Sequence, residues 1–178
     1  YISLWAIMFW SVGVSYWLTL LLSIPTAGFM VRTFIIFHDC GHGSFFKSKH
    51  ANLIVGIITG ILTYTPWQLW WHEHNVHHAN AGNLDKRGIG DVDTWTVEEY
   101  LAAPFWKKVW YRIMRHPLVM FTIGAMTVFA IVKRIPLPSH GKKERASIWW
   151  TNLALLLIVS GLIWLVGWKT YLLVQLPV

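Results

Sequence analysis

Charge is what this sequence has least of. Only 13% of its 178 residues are charged, whereas 55% are hydrophobic and 13 are tryptophan. No charged side chain occurs before Arg32, and the stretch from Ile148 to the end contains only Lys169. Soluble domains carry about 25% charged residues, so the composition excludes an ordinary water-soluble protein. It predicts an all-α, polytopic membrane protein.

Acidic residues and cysteine are also scarce. The chain has 8 acidic and 15 basic residues, a net charge of +7, and one cysteine, Cys40, which excludes an intramolecular disulfide. The basic residues that connect the hydrophobic blocks are Lys47, Lys49, Lys86, Arg87, Lys107, Lys108, Arg112 and Arg115. The positive-inside rule therefore predicts that the connecting region is cytoplasmic. A nucleic-acid partner, the other common reason for a basic balance, is not expected beside spanning segments.

The first hydrophobic block predicts two helices. Residues 1–31 are uncharged, which is more than the roughly 20 residues of one span and less than two spans. We predict a first helix over 1–12, a turn near Gly13, and a spanning helix over 16–37. Because the chain opens on Tyr1 and stops inside an apolar run, we expect 1–178 to be a single membrane domain that is truncated at both ends.

The later blocks are shorter or less regular. The apolar stretch 53–66 cannot span and should be interfacial or re-entrant. Residues 96–115 predict one amphipathic helix lying on anionic lipid. The segment 117–135 has basic residues on both sides, which favours a membrane-embedded or interfacial hairpin with both ends cytoplasmic. Spanning should resume near Ile148 and turn at about 168–171.

Five of the nine histidines fall in two short clusters. These clusters are His38-Asp39-Cys40-Gly41-His42 and His74-Asn75-Val76-His77-His78. Helical residues three and four apart share a face, so His38 with His42, and His74 with His77 and His78, can aim imidazoles at one point. His72 lies two positions before His74 and should face away. Neutral imidazole is a preferred ligand for iron, copper and zinc, so the clusters predict a metal site at the membrane surface.

The spacing of the histidines narrows the metal chemistry. A zinc-protease motif needs His-Glu-x-x-His, but Val76 stands where His72-Glu73 would require the second histidine. A b-type haem usually takes one histidine from each of two spanning helices, which paired histidines at helix ends fit poorly. The clusters instead favour one or two redox-active irons that bind dioxygen.

Other polar and aromatic residues near the clusters have two interpretations each. Asp91 and Asp93 are either outer partners of metal-bound histidines or solvated loop acids. Trp67, Trp70 and Trp71 are expected to be interface anchors, with lining of a substrate tunnel as the alternative. Cys40 is expected to be a small apolar spacer between two better ligands.

The two clusters and their surroundings carry a resemblance to a known family. Residues 34–46, Phe-Ile-Ile-Phe-His-Asp-Cys-Gly-His-Gly-Ser-Phe-Phe, and residues 74–78 closely resemble the first two histidine boxes of integral-membrane fatty acid desaturases. The nearest group is the bacterial delta-12 (omega-6) acyl-lipid desaturases. The likeness covers nearly the whole chain, including 82–85 after the second box and the pattern Lys143-Glu144-Arg145 leading into 151–153.

The resemblance implies a di-iron enzyme. Such an enzyme uses O2 and two electrons to remove two hydrogens from an acyl chain, leaving a cis double bond. The two iron ions would be bound by His38, His42, His74, His77 and His78. The family has a third His-x-x-His-His box near its C-terminus, and no such pattern occurs in this sequence. The chain by itself is therefore expected to be inactive.

The resemblance also implies partners and a location, and it leaves alternative functions to consider. An acyl-lipid substrate, membrane lipid and a separate electron donor, ferredoxin or a cytochrome b5-like protein, are expected. The protein should be multi-pass in the bacterial inner membrane with its histidine boxes in a cytoplasmic cap. The main rival is a membrane hydroxylase or ketolase acting on carotenoids, sterols or alkanes with the same iron site. A non-catalytic metal transporter is less favoured, since transport places ionisable groups within spans.

Overall fold

The protein is built from helices in the computed structural model, which describes residues 1–88, 90 and 92–178. No strand occurs among those residues. The α-helices are α1 Ile2–Val12, α2 Tyr16–Gly41, α3 Lys49–Leu62, α4 Trp67–Asn80, α5 Val97–Ala102, α6 Phe105–Met114, α7 Pro117–Val119, α8 Ala125–Ala130, α9 Lys142–Val166 and α10 Trp168–Gln175. A π-helix, Met120–Gly124, joins α7 to α8, and 3₁₀ turns cover Leu84–Lys86 and Val132–Arg134. The all-α prediction is confirmed.

Several helical stretches have the length and apolarity needed to cross a membrane. In the described part of the chain these are Tyr16–Gly41, Pro117–Arg134 and Lys142–Val166. Helices α3 and α4 have this length and apolarity only when they are counted together, with a break between Leu62 and Trp67. The chain is therefore a polytopic helical membrane protein.

The hairpin expected over 117–135 is wrong. The segment is one helical run, Pro117–Arg134. Its single glycine, Gly124, has φ of −63° and ψ of −51°, which are helical values, so the residue most able to reverse the chain does not do so. The run is long and apolar enough to cross a membrane.

The single amphipathic helix expected over 96–115 is also wrong, because two helices cover this region. Pro104 separates α5 from α6, and the residue before it, Ala103, has an extended ψ of 146°. Proline clashes with a helical conformation at the residue that precedes it, which ends α5 there.

The first turn of α5 is tied to the preceding loop. The Thr96 side chain accepts the Glu99 N–H at 3.1 Å, and the Glu99 carboxylate accepts the Thr96 N–H at 2.7 Å, which is a capping box. Arg87 from the loop forms an ion pair with the same carboxylate. The hydrogen bond from Arg87, and then that from the Thr96 backbone, lower the pKa of Glu99 to about 2.

Helix α9 differs from its prediction at its C-terminal end. It begins at Lys142, because the residues that precede the apolar run predicted to span from near Ile148 are mostly good helix formers. It ends at Val166, and the turn falls on Gly167 with φ of +82°, a conformation that glycine adopts readily. The turn therefore precedes 168–171, which form the start of α10.

Contacts divide the chain into two compact units. The first contains residues 1–67 and 150–178, and the second contains 68–149. In the first unit α1 and α2 are joined by a hydrogen bond of 2.8 Å between the hydroxyls of Ser11 and Thr19, both fully buried. Hydroxyl groups of this kind commonly link membrane helices across close contacts.

Phe37 packs where two glycines open the surface of α3. Its ring is fully buried and lies 5.6 Å from that of Trp67 at 86°. A Cβ added to Gly60 would stand 2.9 Å from the Phe37 ring and 2.6 Å from the Thr65 carbonyl oxygen, and one added to Gly56 would stand 1.9 Å from the Trp67 ring. The interface anchor expected at Trp67 is therefore wrong, because this side chain belongs to the packing that holds the end of α2.

We predict that Gly60→Ala destabilises the first unit. The added methyl group meets backbone and a buried ring that cannot move freely, and overpacking of this kind costs about 1–3 kcal/mol. Thermal unfolding in detergent should show a lower Tm. Gly161→Ala in α9 is the matched control, because nothing lies within 4 Å of its added Cβ; equal Tm values for the two variants would contradict the packing role.

Candidate metal centre

The first histidine pair lies at the end of α2, in the first unit. His38 is in the last turn of the helix and His42 is the residue that caps it. Their Nε2 atoms are 3.3 Å apart, and the His42 N–H donates to the His38 carbonyl oxygen at 3.1 Å. The prediction that these two rings share a face is confirmed.

Asp39 fixes the orientation of the His38 ring. Its Oδ1 lies 3.0 Å from His38 Nδ1. A carboxylate that accepts a hydrogen bond from Nδ1–H leaves the Nε2 lone pair available to a metal ion. The sequence left two interpretations for Asp91 and Asp93, outer partners of metal-bound histidines or solvated loop acids. Asp93 instead accepts the Trp95 indole N–H at 2.8 Å, and Asp91 lies outside the described residues.

The loop after the first pair is closed by side-chain hydrogen bonds. The Ser44 hydroxyl donates to the Asp39 carbonyl oxygen at 3.0 Å. Asn52 in the first turns of α3 accepts the Phe46 N–H at 2.9 Å and donates to the Phe46 carbonyl oxygen at 2.8 Å. Since Asn52 is buried, this reciprocal pair joins the loop firmly to α3.

The second histidine pair lies on α4, in the second unit. The Nε2 atoms of His74 and His78 are 3.0 Å apart, as expected for residues four apart on one helix face. The Trp70 ring stacks on His74 with centroids 4.2 Å apart and planes at 19°. Trp70 therefore limits the rotation of the His74 ring.

The other histidines of α4 are placed differently. The His77 ring centroid is 6.0 Å from that of His74 and 5.6 Å from that of His78, and His77 is not among the residues whose ring nitrogens lie close enough to share an ion. The structure therefore brings together two of the three predicted ligands on this helix. His72, predicted to face away, has its Nδ1 3.9 Å from a Glu144 carboxylate oxygen.

An ion pair inside the second unit adjoins the histidines. Lys133, in the 3₁₀ turn after α8, donates a hydrogen bond to Glu73, which stands between His72 and His74. The two side chains are only 17% and 21% exposed. No local sequence pattern predicts this contact, because the partners are sixty residues apart.

The nitrogen spacing fits metal binding by each pair. Imidazole nitrogens bind transition metals at about 2.1 Å, so two of them at right angles around one ion would be about 3.0 Å apart. The measured Nε2 separations are 3.3 Å and 3.0 Å. An all-imidazole set suits iron, copper, nickel or zinc, whereas calcium and magnesium prefer oxygen ligands.

Comparison with known proteins identifies the family. The family model described as "Fatty acid desaturase" matches residues 15–178. The chain belongs to the fatty acid desaturase family. The two histidine clusters, the helical fold and the apolar spans are therefore features of a chain of this family.

Individual relatives agree with this membership. The chain is 46% identical over all of its length to a "Fatty acid desaturase" of Bacillus subtilis, of which it covers 51%. It is also 36% identical, over 51% of its length, to the "sn-1 acyl-lipid omega-3 desaturase (ferredoxin)" of Synechocystis, and the match covers 24% of that relative. To the "sn-1 oleoyl-lipid 12-desaturase" of the same organism it is 32% identical over 53% of its length, and the match covers 26% of that relative. The chain thus spans about half the length, or less, of these relatives. No solved structure matches.

We predict that Lys133→Ala destabilises the second unit. The change leaves the largely buried Glu73 carboxylate without its cation, and an unsatisfied buried group of this kind costs about 1–3 kcal/mol. Thermal unfolding of the complete protein should show a lower Tm for this variant. The control Lys86→Ala, at an exposed residue, should leave the Tm unchanged. The double exchange Glu73→Lys with Lys133→Glu should recover part of it; no recovery would mean that the ion pair is not the cause.

Proposed function

We propose that the chain is the part of an oxygen-dependent di-iron desaturase that carries its first two histidine boxes. The proposed iron ligands are His38, His42, His74, His77 and His78. The observation that carries the proposal is the pair of Nε2 separations, 3.3 Å in the first box and 3.0 Å in the second. Both suit ligands of a metal ion, and His77 joins the set through the resemblance of its box.

The chain's own residues prepare the ligand atoms. Asp39 accepts from Nδ1 of His38 and so presents its Nε2. Trp70 supports the His74 ring, while Lys133 and Glu73 hold the helix that bears it. When bound, the iron would supply the oxidising power that C–H removal from a saturated chain requires, which no protein side chain offers. The apolar helices would keep the acyl chain and the reacting carbons away from water.

The proposed substrate is an acyl chain esterified in a membrane lipid. Removal of two hydrogens, together with two electrons and two protons from solution, reduces O2 to two waters and leaves a cis double bond. The delta-12 (omega-6) position is proposed because the resemblance of the first box is nearest to that group, and one relative is an oleoyl-lipid 12-desaturase. A ferredoxin is the proposed electron donor, since the name of the Synechocystis omega-3 desaturase includes ferredoxin; a cytochrome b5-like protein is the alternative.

The proposed location is the bacterial inner membrane, with both boxes on the cytoplasmic side. Its basis is the positive-inside rule applied to the connecting segments. The acyl chain would then reach the boxes from within the bilayer, and the electron donor would reach them from the aqueous side.

We predict that His38→Ala and His78→Ala in the complete protein lower bound iron and abolish product. Each removes one nitrogen of a pair, and loss of a ligand lowers metal affinity. Iron content measured by elemental analysis of the purified protein tests this separately from activity. His72→Ala is the matched control on the same helix and should retain iron. Should His72→Ala lose as much iron as His78→Ala, the helical assignment of the second box would be wrong.

We predict that cells expressing the complete protein accumulate dienoic acyl chains in their glycerolipids. Gas chromatography of the methyl esters gives the bond position, and growth under reduced oxygen should lower the yield because O2 is a substrate. Hydroxylated or ketonised products without new dienoic chains would assign the protein to the hydroxylase or ketolase branch instead.

A further inference from the structure

Helix α6 presents an apolar face that the second unit leaves open. Phe105, Trp106, Trp110 and Ile113 are all exposed, the two indoles by 77% and 64%. At about 100° per residue these side chains fall on one side of the helix. The exposed side chains Val97 and Leu101 on α5 add to the apolar surface of this region. A patch with two large aromatic rings is unusual for a surface in contact with water.

The basic side chains beside this face contact the second unit, while Arg112 and Arg115 stay exposed. Lys108 donates to the Leu101 carbonyl oxygen at 2.8 Å, and the Arg112 guanidinium lies 5.5 Å over the Tyr100 ring. Just past the helix, Arg115 donates to the Asp93 carbonyl oxygen at 2.7 Å. Cations held beside an exposed apolar face suit a boundary with lipid headgroups.

The position of α6 in the chain indicates which medium that is. The helix ends at Met114, and the run long enough to cross a membrane starts at Pro117. The two residues between them reach about 10 Å at most. One end of α6 therefore lies at the point where the chain would enter the bilayer.

The length of α6 excludes a crossing. Ten residues make a helix of about 15 Å, half of the roughly 30 Å hydrocarbon layer. A short helix with tryptophans on one face and cations beside it suits the boundary between headgroups and acyl chains, where indole rings and basic side chains concentrate. Exposed Lys107 lies at the edge of the apolar face, where the phosphates would be.

We propose that the open face of α6, together with Val97 and Leu101, rests in the phospholipid bilayer as an interfacial anchor parallel to the membrane. Lys107 contacts anionic headgroups beside it. The anchor holds the segment between the second histidine box and the following span at a fixed depth. This assignment does not depend on the proposed catalytic function.

Nitroxide labels on single introduced cysteines in the complete protein, reconstituted in phosphatidylcholine vesicles, test the depth of this face. Trp106→Cys and Ile113→Cys report the face, and Lys86→Cys in the exposed loop is the aqueous control. The native Cys40 is 2% exposed, so the unsubstituted protein gives the labelling background. Collisions with oxygen should exceed those with a water-soluble nickel chelate at 106 and 113, and the reverse should hold at 86.

Two results would overturn the proposal. Nickel-dominated collisions at 106 and 113, as at 86, would place the face in water. Poor access to both reagents would mean that a protein surface, such as a second copy of this chain, covers it. Adding phosphatidylglycerol should raise the oxygen-to-nickel ratio at 106, and Lys107→Gln should remove that rise. No response to phosphatidylglycerol would overturn the role of Lys107.

Discussion

The structure depends on one relation, the closeness of residues four apart on an α-helix. It places Nε2 of His38 against that of His42, and Nε2 of His74 against that of His78, at separations that suit a metal ion. It also places Trp70 over His74. A bilayer strengthens the constraint, because helices satisfy their own backbone groups where water is absent. The bilayer therefore favours helices, and helices bring the two histidines of each pair to the spacing that suits a metal ion.

That relation explains why much could be predicted from the sequence. The first turn near Gly13, the spanning helix that leads into the first box, and the facing of the histidine pairs follow from local periodicity. The turn after α9 was misplaced by only a residue or so, because Gly167 marks it less clearly than the aromatic residues beside it. Pro104 could have shown the division between α5 and α6, since proline ends the preceding helix, but the amphipathic pattern continues across it.

Tertiary partners could not be predicted in the same way. The pairing of Lys133 with Glu73 joins positions far apart in sequence, and no local rule selects one cation among fifteen. Asp39 was overlooked because adjacent helical residues normally point apart, yet the carboxylate still reaches His38 Nδ1. Trp67 looked like an interface residue by type and is instead part of the packing around Phe37.

The two histidine pairs are alike in a further respect. In each pair one ring is half-buried and contacts a further side chain: His38 contacts Asp39, and His74 stacks on Trp70. The other ring of each pair, His42 or His78, is exposed. A braced ring keeps its nitrogen in place, whereas the second ring of each pair faces solvent. In the proposed iron site, the two rings of each pair would therefore differ in how firmly their ligand atoms are positioned.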